Sequence, residues 1–412
     1  MKETLEELNK RYQEYKAKNL KLNMARGKPC QEQLDLSMGM MDVLSSKTIL
    51  SCEDGTDCRN YGVLTGIEEC KRLLGDIIEV NKDNIIIYGN SSLNIMYSLV
   101  NMGYSKGILG NTPWCKLDKV KWLCPVPGYD RHFAITEYFG IEMINIPMDE
   151  NGPDMDMIED LVSKDESIKG IWCVPKYSNP SGITYSDEVV KRFARLKPKA
   201  KDFRIYWDNA YSVHHLYDDN QDYLIELLNE CEKAGNPDLV YKFTSTSKIS
   251  FPGSGVAALA TSKNNIEQIK KEMGVSTIGY DKVNQLRHVR YFKDLNGIKE
   301  QMKKHAAILR PKFALVDEIF NKEIKDIAKW NNPKGGYFIS LEVPGFAKEV
   351  VDDCSYLGVT LTAAGASHPY HKDPDNKYIR IAPSFPSLEE LKLATEILTL
   401  CVKRRYLMKE GN

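Results

Sequence analysis

No stretch of this 412-residue chain approaches the ~18 uninterrupted apolar residues that a membrane span requires. The opening run Met1-Lys-Glu-Thr-Leu-Glu-Glu-Leu8 is too charged for the apolar core of a secretory signal. Net charge is nearly absent: 56 basic against 57 acidic side chains leaves −1, so neither nucleic acid nor an anionic membrane is expected as a partner. Cysteine occurs ten times but never as CxxC, and the seven histidines form no HExxH or other ligand spacing. Scattered thiols in a long chain read as reduced cysteines of a cytoplasmic protein, with no metal site. The doublet His214-His215 reads as polar residues of a helix or loop. There is no internal repeat, no low-complexity tract and no Gly/Ser linker.

What is present is ordinary for a globular enzyme: 42% hydrophobic and 27% charged residues, at a length that admits about two or three domains. Leu5, Leu8, Tyr12 and Tyr15 recur at helical spacing, and Leu22 to Pro29 then breaks into loop. From about residue 60 helical stretches alternate with short apolar strands. These strands are expected over 84–89, 121–125, 143–147, 170–175, 203–208, 240–244 and 256–261. Such alternation implies crossover units and a mainly parallel sheet, an α/β fold. Past the helical stretch 298–321, strands at 337–343, 359–362 and 378–382 and helices at 347–357 and 388–404 suggest a smaller α+β domain. The expected division is 1–50 as an N-terminal helix and segment joining the small domain, 51–310 as the large domain, and 311–412 as the small domain.

Ligands of open α/β sheets bind at the carboxyl ends of the strands, where the chemically notable residues fall. Lys248 follows the strand-like Tyr241-Lys-Phe-Thr-Ser-Thr-Ser and precedes a Gly/Pro turn, a setting that favours a neutral, nucleophilic amine. A solvated surface lysine is the plainer reading. Ser91 and Ser92 lead from a strand into a helix, as a phosphate site or merely as an N-cap. Tyr129 sits in a turn, either stacking on a planar ring or packing under a loop. Asn179, in Asn-Pro-Ser-Gly, is turn chemistry with an amide to spare. Asp208 ends a buried-type strand and needs a cation, either a ligand's protonated nitrogen or a core Lys or Arg. Gly253-Ser-Gly255-Val-Ala-Ala258 fits a loose dinucleotide pattern, but it precedes a strand rather than a helix.

Taken together, Asn179-Pro-Ser-Gly, Asp208-Asn-Ala-Tyr211, Ser245-Thr-Ser-Lys248 and Ile379-Arg380-Ile-Ala-Pro resemble, in order and approximate spacing, the class I aminotransferases of fold type I. The closest likeness is to their aspartate-aminotransferase-like bacterial subgroup. That resemblance implies a mainly parallel seven-stranded sheet between helices and pyridoxal 5'-phosphate bound as a Schiff base on Lys248, which also shuttles the proton at the substrate Cα. It implies Asp208 on the pyridine nitrogen, Asn179 and Tyr211 on the phenolic oxygen, Tyr129 stacked on the ring, and Ser91, Ser92 and Ser245 on the phosphate. Arg380 would grip the substrate α-carboxylate, with Asn179 and Gly27 beside it. Tyr61 matches the position that reaches the phosphate of a neighbouring subunit, implying a homodimer with shared active sites.

The chain departs from the family pattern at Gly253-Ser-Gly255-Val256, where an arginine usually meets the phosphate. Arg287 and Arg290 are candidates for reading a dicarboxylate across a dimer, or are simply exposed helix charges. The expected substrates are an L-amino acid, with aspartate leading, and a 2-oxo acid, with 2-oxoglutarate leading. Aromatic amino acids are a second choice, and a C–S lyase or decarboxylase would use the same residues. A regulator fused to a DNA-binding module is disfavoured, because the first 20 residues are too short for a helix-turn-helix.

Overall fold

The computed structural model describes residues 3–411. Its strands, in chain order, are β1 (Leu22–Asn23), β2 (Ile85–Ile87), β3 (Lys121–Val126), β4 (Glu142–Asp149), β5 (Gly152–Pro153), β6 (Ile168–Cys173), β7 (Arg204–Asp208), β8 (Val240–Ser245), β9 (Ala257–Ala260), β10 (Lys329–Trp330), β11 (Ile339–Glu342), β12 (Val359–Thr360) and β13 (Tyr378–Ile381). The main sheet has the order β2-β9-β8-β7-β6-β3-β4-β5. From β8 to β4 all neighbours are parallel; at one edge β9 runs antiparallel to β8 and β2 antiparallel to β9, and at the other β5 runs antiparallel to β4. The seven strands expected from the resemblance thus gain an eighth. The chain turns back after Asp149 and pairs Gly152 and Pro153 with β4, and an edge is where a strand tolerates proline.

The central strands β6 and β7 are buried along their whole length, as expected for a parallel sheet covered on both faces. Alternation sends Ile205 and Trp207 into one core and Tyr206 into the other. On the second face Trp122, Trp172 and Tyr206 form an aromatic ladder, with centroids 5.0 Å and 4.9 Å apart. Gly170 makes room for it, since a Cβ there would stand 2.5 Å from the Trp122 ring.

Lys242 on β8 is buried and donates to Glu226 Oε1 at 2.7 Å and to the Ile78 carbonyl at 2.6 Å. Glu226 also accepts from the amides of Leu228 and Asn229, capping the helix Leu227–Lys233. Removing one member of a buried pair strands the other charge. Glu226→Ala is therefore expected to cost about 3–5 kcal/mol in urea unfolding. A cost below ~1 kcal/mol, the value of an exposed pair, would mean that Lys242 is rehydrated.

The remaining elements share a separate core that joins Leu8 of the helix Leu5–Ala17, Phe313, Ile379 of β13 and Leu398 of the helix Leu388–Glu410. Here β10, β11 and β13 form an antiparallel sheet, and β1 pairs in parallel with β12. Leu22 and Asn23 are thus strand rather than the expected loop, because their partners Val359 and Thr360 lie far along the chain. A single helix, Leu295–Glu323, spans the two cores, burying Ile298 and Met302 in one and Leu309 and Phe313 in the other. His214 lies in a loop, one of the two places expected for it, but it is buried, and burial holds its pKa well below the usual histidine range.

Candidate active site

The carboxyl ends of β7 and β8 open into a cavity of about 520 Å³, with Asp208 and Ser245 at the strand ends and Lys248 three residues further on. Lys248 is half-buried, and desolvation pushes its ammonium pKa down, partly opposed by the Asp208 charge. Such a lysine holds a larger share of neutral amine than a surface lysine does.

Asp208 is held from one side only. His132 Nε2–H donates to its Oδ2 at 3.0 Å, while Oδ1 is buried with no partner. The His132 ring is fixed in turn by stacking on Trp172 of the aromatic ladder, 4.8 Å between centroids and 18° between planes. A buried carboxylate oxygen left bare at a cavity wall calls for a positively charged donor. A protonated pyridine nitrogen meets that need, so the residues present fit pyridoxal phosphate.

Tyr129 and Tyr211 also line the cavity. Burial raises the Tyr129 phenol to about 12 and that of Tyr211 well above its ordinary value, so both stay protonated donors. Tyr211 carries the Lys248 ammonium 5.1 Å from its ring centroid.

Ser91 is the N-cap residue of the helix Ser92–Lys106, yet its side chain makes no capping bond. Its hydroxyl is therefore free for a ligand at a helix N-terminus, which suits a phosphate. Ser92, Ser245 and Ser247 add hydroxyls around the same cavity, with Ser245 donating to Ser247 at 3.1 Å. The stretch 253–256 contributes no cation, and of the adjoining turn only Pro252 reaches the cavity.

Arg380, from β13, enters from the opposite side. Its Nη1 donates to Asp130 at 2.9 Å and to Asn179 Oδ1 at 3.3 Å, while Nε and Nη2 both donate to Thr362 Oγ1. Because Asn179 accepts through its oxygen, its amide N–H groups remain free to donate into the cavity. Gly27 lines the same wall, and a Cβ there would stand 2.4 Å from the Phe338 ring.

Ten of the eleven site residues expected from sequence thus meet in one cavity: Lys248, Asp208, Asn179, Tyr129, Tyr211, Ser91, Ser92, Ser245, Gly27 and Arg380. Tyr61 does not. It lies outside the cavity and is 80% exposed. Arg287 and Arg290 do not line the cavity either. Arg287 donates to Ser254 Oγ at 2.6 Å, and Arg290 to the Ile49 carbonyl at 2.6 Å. Sequence reasoning passed over His132, Asp130 and Ser247. The only signal for His132 was its place three residues after Tyr129, one helical turn along.

The model of the family described as aspartate amino-transferase matches residues 1–410. The chain belongs to that family. It is 46% identical over 404 residues to the aspartate aminotransferase of Corynebacterium glutamicum, covering 96% of this chain and 92% of that protein. The crystal structure of an aspartate transaminase from Corynebacterium glutamicum superposes with a TM-score of 0.95 at 44% identity, covering 98% of this chain and 96% of that one. The α-aminoadipate aminotransferase of Thermus thermophilus, solved with N-(5'-phosphopyridoxyl)-L-leucine, gives 0.76 at 17% identity over 97% and 95% of the two chains, a likeness of fold alone. The protein is accordingly an aminotransferase of fold type I.

Proposed function

We propose that the protein moves the amino group of L-aspartate to 2-oxoglutarate, with pyridoxal 5'-phosphate held in this cavity through a Schiff base on Lys248. The bare Oδ1 of Asp208, in the wall of the cavity that Lys248 also lines, carries the cofactor reading. The 46% identical relative named aspartate aminotransferase supports the substrate. When bound, the cofactor supplies an electron sink for charge that develops at the substrate Cα.

The chain's own residues do the rest. With the cofactor bound, Lys248, depressed in pKa, would take the proton released at the substrate Cα and carry it through the shift that transamination requires. Asp208, oriented by His132, keeps the pyridine nitrogen protonated. Asn179 and Tyr211 donate to the phenolic oxygen, and Tyr129 covers the ring and excludes water. Arg380 receives the α-carboxylate in a two-pronged contact that lysine would not reproduce. Ser91, Ser92, Ser245 and the free amides of the helix Ser92–Lys106 take the phosphate.

The reading includes a homodimer. Met38, Met41, Ile49, Tyr61, Val275 and Ile278 are all exposed, and several are tied to the helix Lys282–Phe292. Arg287 reaches Met41, Arg290 the Ile49 carbonyl and Lys282 the Gly62 carbonyl. An apolar face of this kind suits a subunit interface, from which Tyr61 would reach the partner's phosphate. Ten free cysteines, nine of them buried, suit a reducing cytoplasm.

The test is the visible absorption of the cofactor-loaded protein before and after L-aspartate is added without oxo acid. The band is expected to bleach, and 2-oxoglutarate to restore it. A band indifferent to aspartate overturns the substrate. No band after addition of pyridoxal phosphate overturns the cofactor.

A further inference from the structure

Lys248 stands in the middle of the turn 246–250, which closes through bonds from the Ile249 and Ser250 amides to the Thr246 carbonyl at 2.9 Å and 2.8 Å. Backbone bonds alone leave open what fixes this turn against the rest of the molecule. The hydroxyl residues at its two ends, Thr246 and Ser250, are fully buried, and neither lines the cavity. Both meet one atom of the helix Lys282–Phe292: His288 Nε2 lies 2.8 Å from Ser250 Oγ and 3.2 Å from Thr246 Oγ1.

The tautomer of His288 follows from its other ring nitrogen. Nδ1 stands 2.8 Å from the Asn284 carbonyl, which can only accept, so Nδ1 carries the proton and Nε2 is a bare acceptor. Burial pushes the imidazole down to about 4 and keeps the ring in this neutral form. The far end of the same loop is tied to the same helical turn. Thr246 Oγ1 accepts the Val256 amide at 2.9 Å, and Asn284 Nδ2 donates to the Ser254 and Gly255 carbonyls at 3.1 Å and 3.0 Å. The helix is anchored in its turn: Lys282 donates to the Gly62 carbonyl, and Gln285 Oε1 accepts the Ile67 amide, each at 3.0 Å.

We propose that His288 is a positioning residue for Lys248. Its Nε2 is a shared acceptor for the hydroxyls on either side of the lysine, so it sets the turn and the direction from which the amine meets a substrate Cα. This rests on the Lys248 reading and adds what aims that side chain. None of residues 253–256 lines the cavity to do so. The contacts of Arg380, with Asp130, Asn179 and Thr362, share no member with this network, so substrate affinity is not part of the role.

The test is a matched pair of variants. Glutamine brings an acceptor close to the place of Nε2, whereas asparagine keeps a polar group near Nδ1 and leaves the two hydroxyls without their partner. His288→Asn is expected to slow Cα proton exchange of aspartate by about 10- to 100-fold, the cost of a small misplacement of a reacting group, with half-saturation by aspartate unchanged. The apo-protein should also develop its visible band with saturating pyridoxal 5'-phosphate more slowly, a readout independent of turnover. His288→Gln should restore most of both rates. Ser250→Ala, which leaves the helix untouched, should lose about 5- to 10-fold, the value of one neutral hydrogen bond; it decides the matter alone should His288→Asn not fold. Equal losses in the asparagine and glutamine variants, an unchanged rate in Ser250→Ala, or a loss confined to half-saturation overturns the assignment. A wild type that forms no band overturns the Lys248 reading instead.

Discussion

Lys248→Ala is expected to lower transamination by ~10⁴-fold or more, the upper range for losing a positioned proton-transfer group. Of the two lysines that line the cavity, Lys28 holds its ammonium 3.9 Å over the Phe385 ring, whereas desolvation lowers the pKa of Lys248. No other lining residue is suited to take a Cα proton: Tyr129 and Tyr211 are held protonated, Asp130 is bonded to Arg380 and Asp208 to His132. Two readouts separate chemistry from folding. Borohydride reduction followed by mass analysis should fix the cofactor to wild type but not to the variant. Lys248→Arg should be nearly as inactive, because a guanidinium does not deprotonate in a protein. Ordinary turnover in Lys248→Ala would end the assignment.

Asp208→Ala is the second large effect, an expected fall of about 10²–10³-fold in the rate of Cα proton exchange, as for the loss of one preorganised electrostatic partner. The argument is geometric. His132 occupies Oδ2, leaving Oδ1 as a buried acceptor with nothing to accept from. A cationic N–H there neutralises a carboxylate that would otherwise be costly to bury. Deuterium exchange at Cα of aspartate, followed by NMR at saturating cofactor, isolates this step from cofactor affinity. An unchanged exchange rate would mean that the pyridine nitrogen meets some other group.

How much of this was legible depends on how local each signal is. Six of the seven expected strands of the main sheet carry runs of aliphatic and aromatic residues, and all seven appear near their expected places. Of the four two-residue strands, β1, β5 and β10 carry no such pattern, and only their partners define them. The site was readable because its residues stand at strand ends and in turns of distinctive composition. His132 was not, since a histidine in a charged helical turn looks like surface, and its partner Asp208 is 76 residues away. Tyr61 shows the opposite limit: its motif was visible, but within a single chain it reaches no part of the cavity.

The ion pair between Arg380 and Asp130 gives the site an occupant of its own. On the proposed role of Arg380, an incoming α-carboxylate would compete with the Asp130 carboxylate for the same Nη1, each substrate displacing Asp130 and each departing product being replaced by it. Because the α-carboxylate is common to all amino and oxo acids, this competition weakens them equally and leaves the choice among them untouched. Discrimination must then come from elsewhere in the cavity, while the internal carboxylate hastens the exchange of product for substrate on which a two-step, shuttling cycle depends.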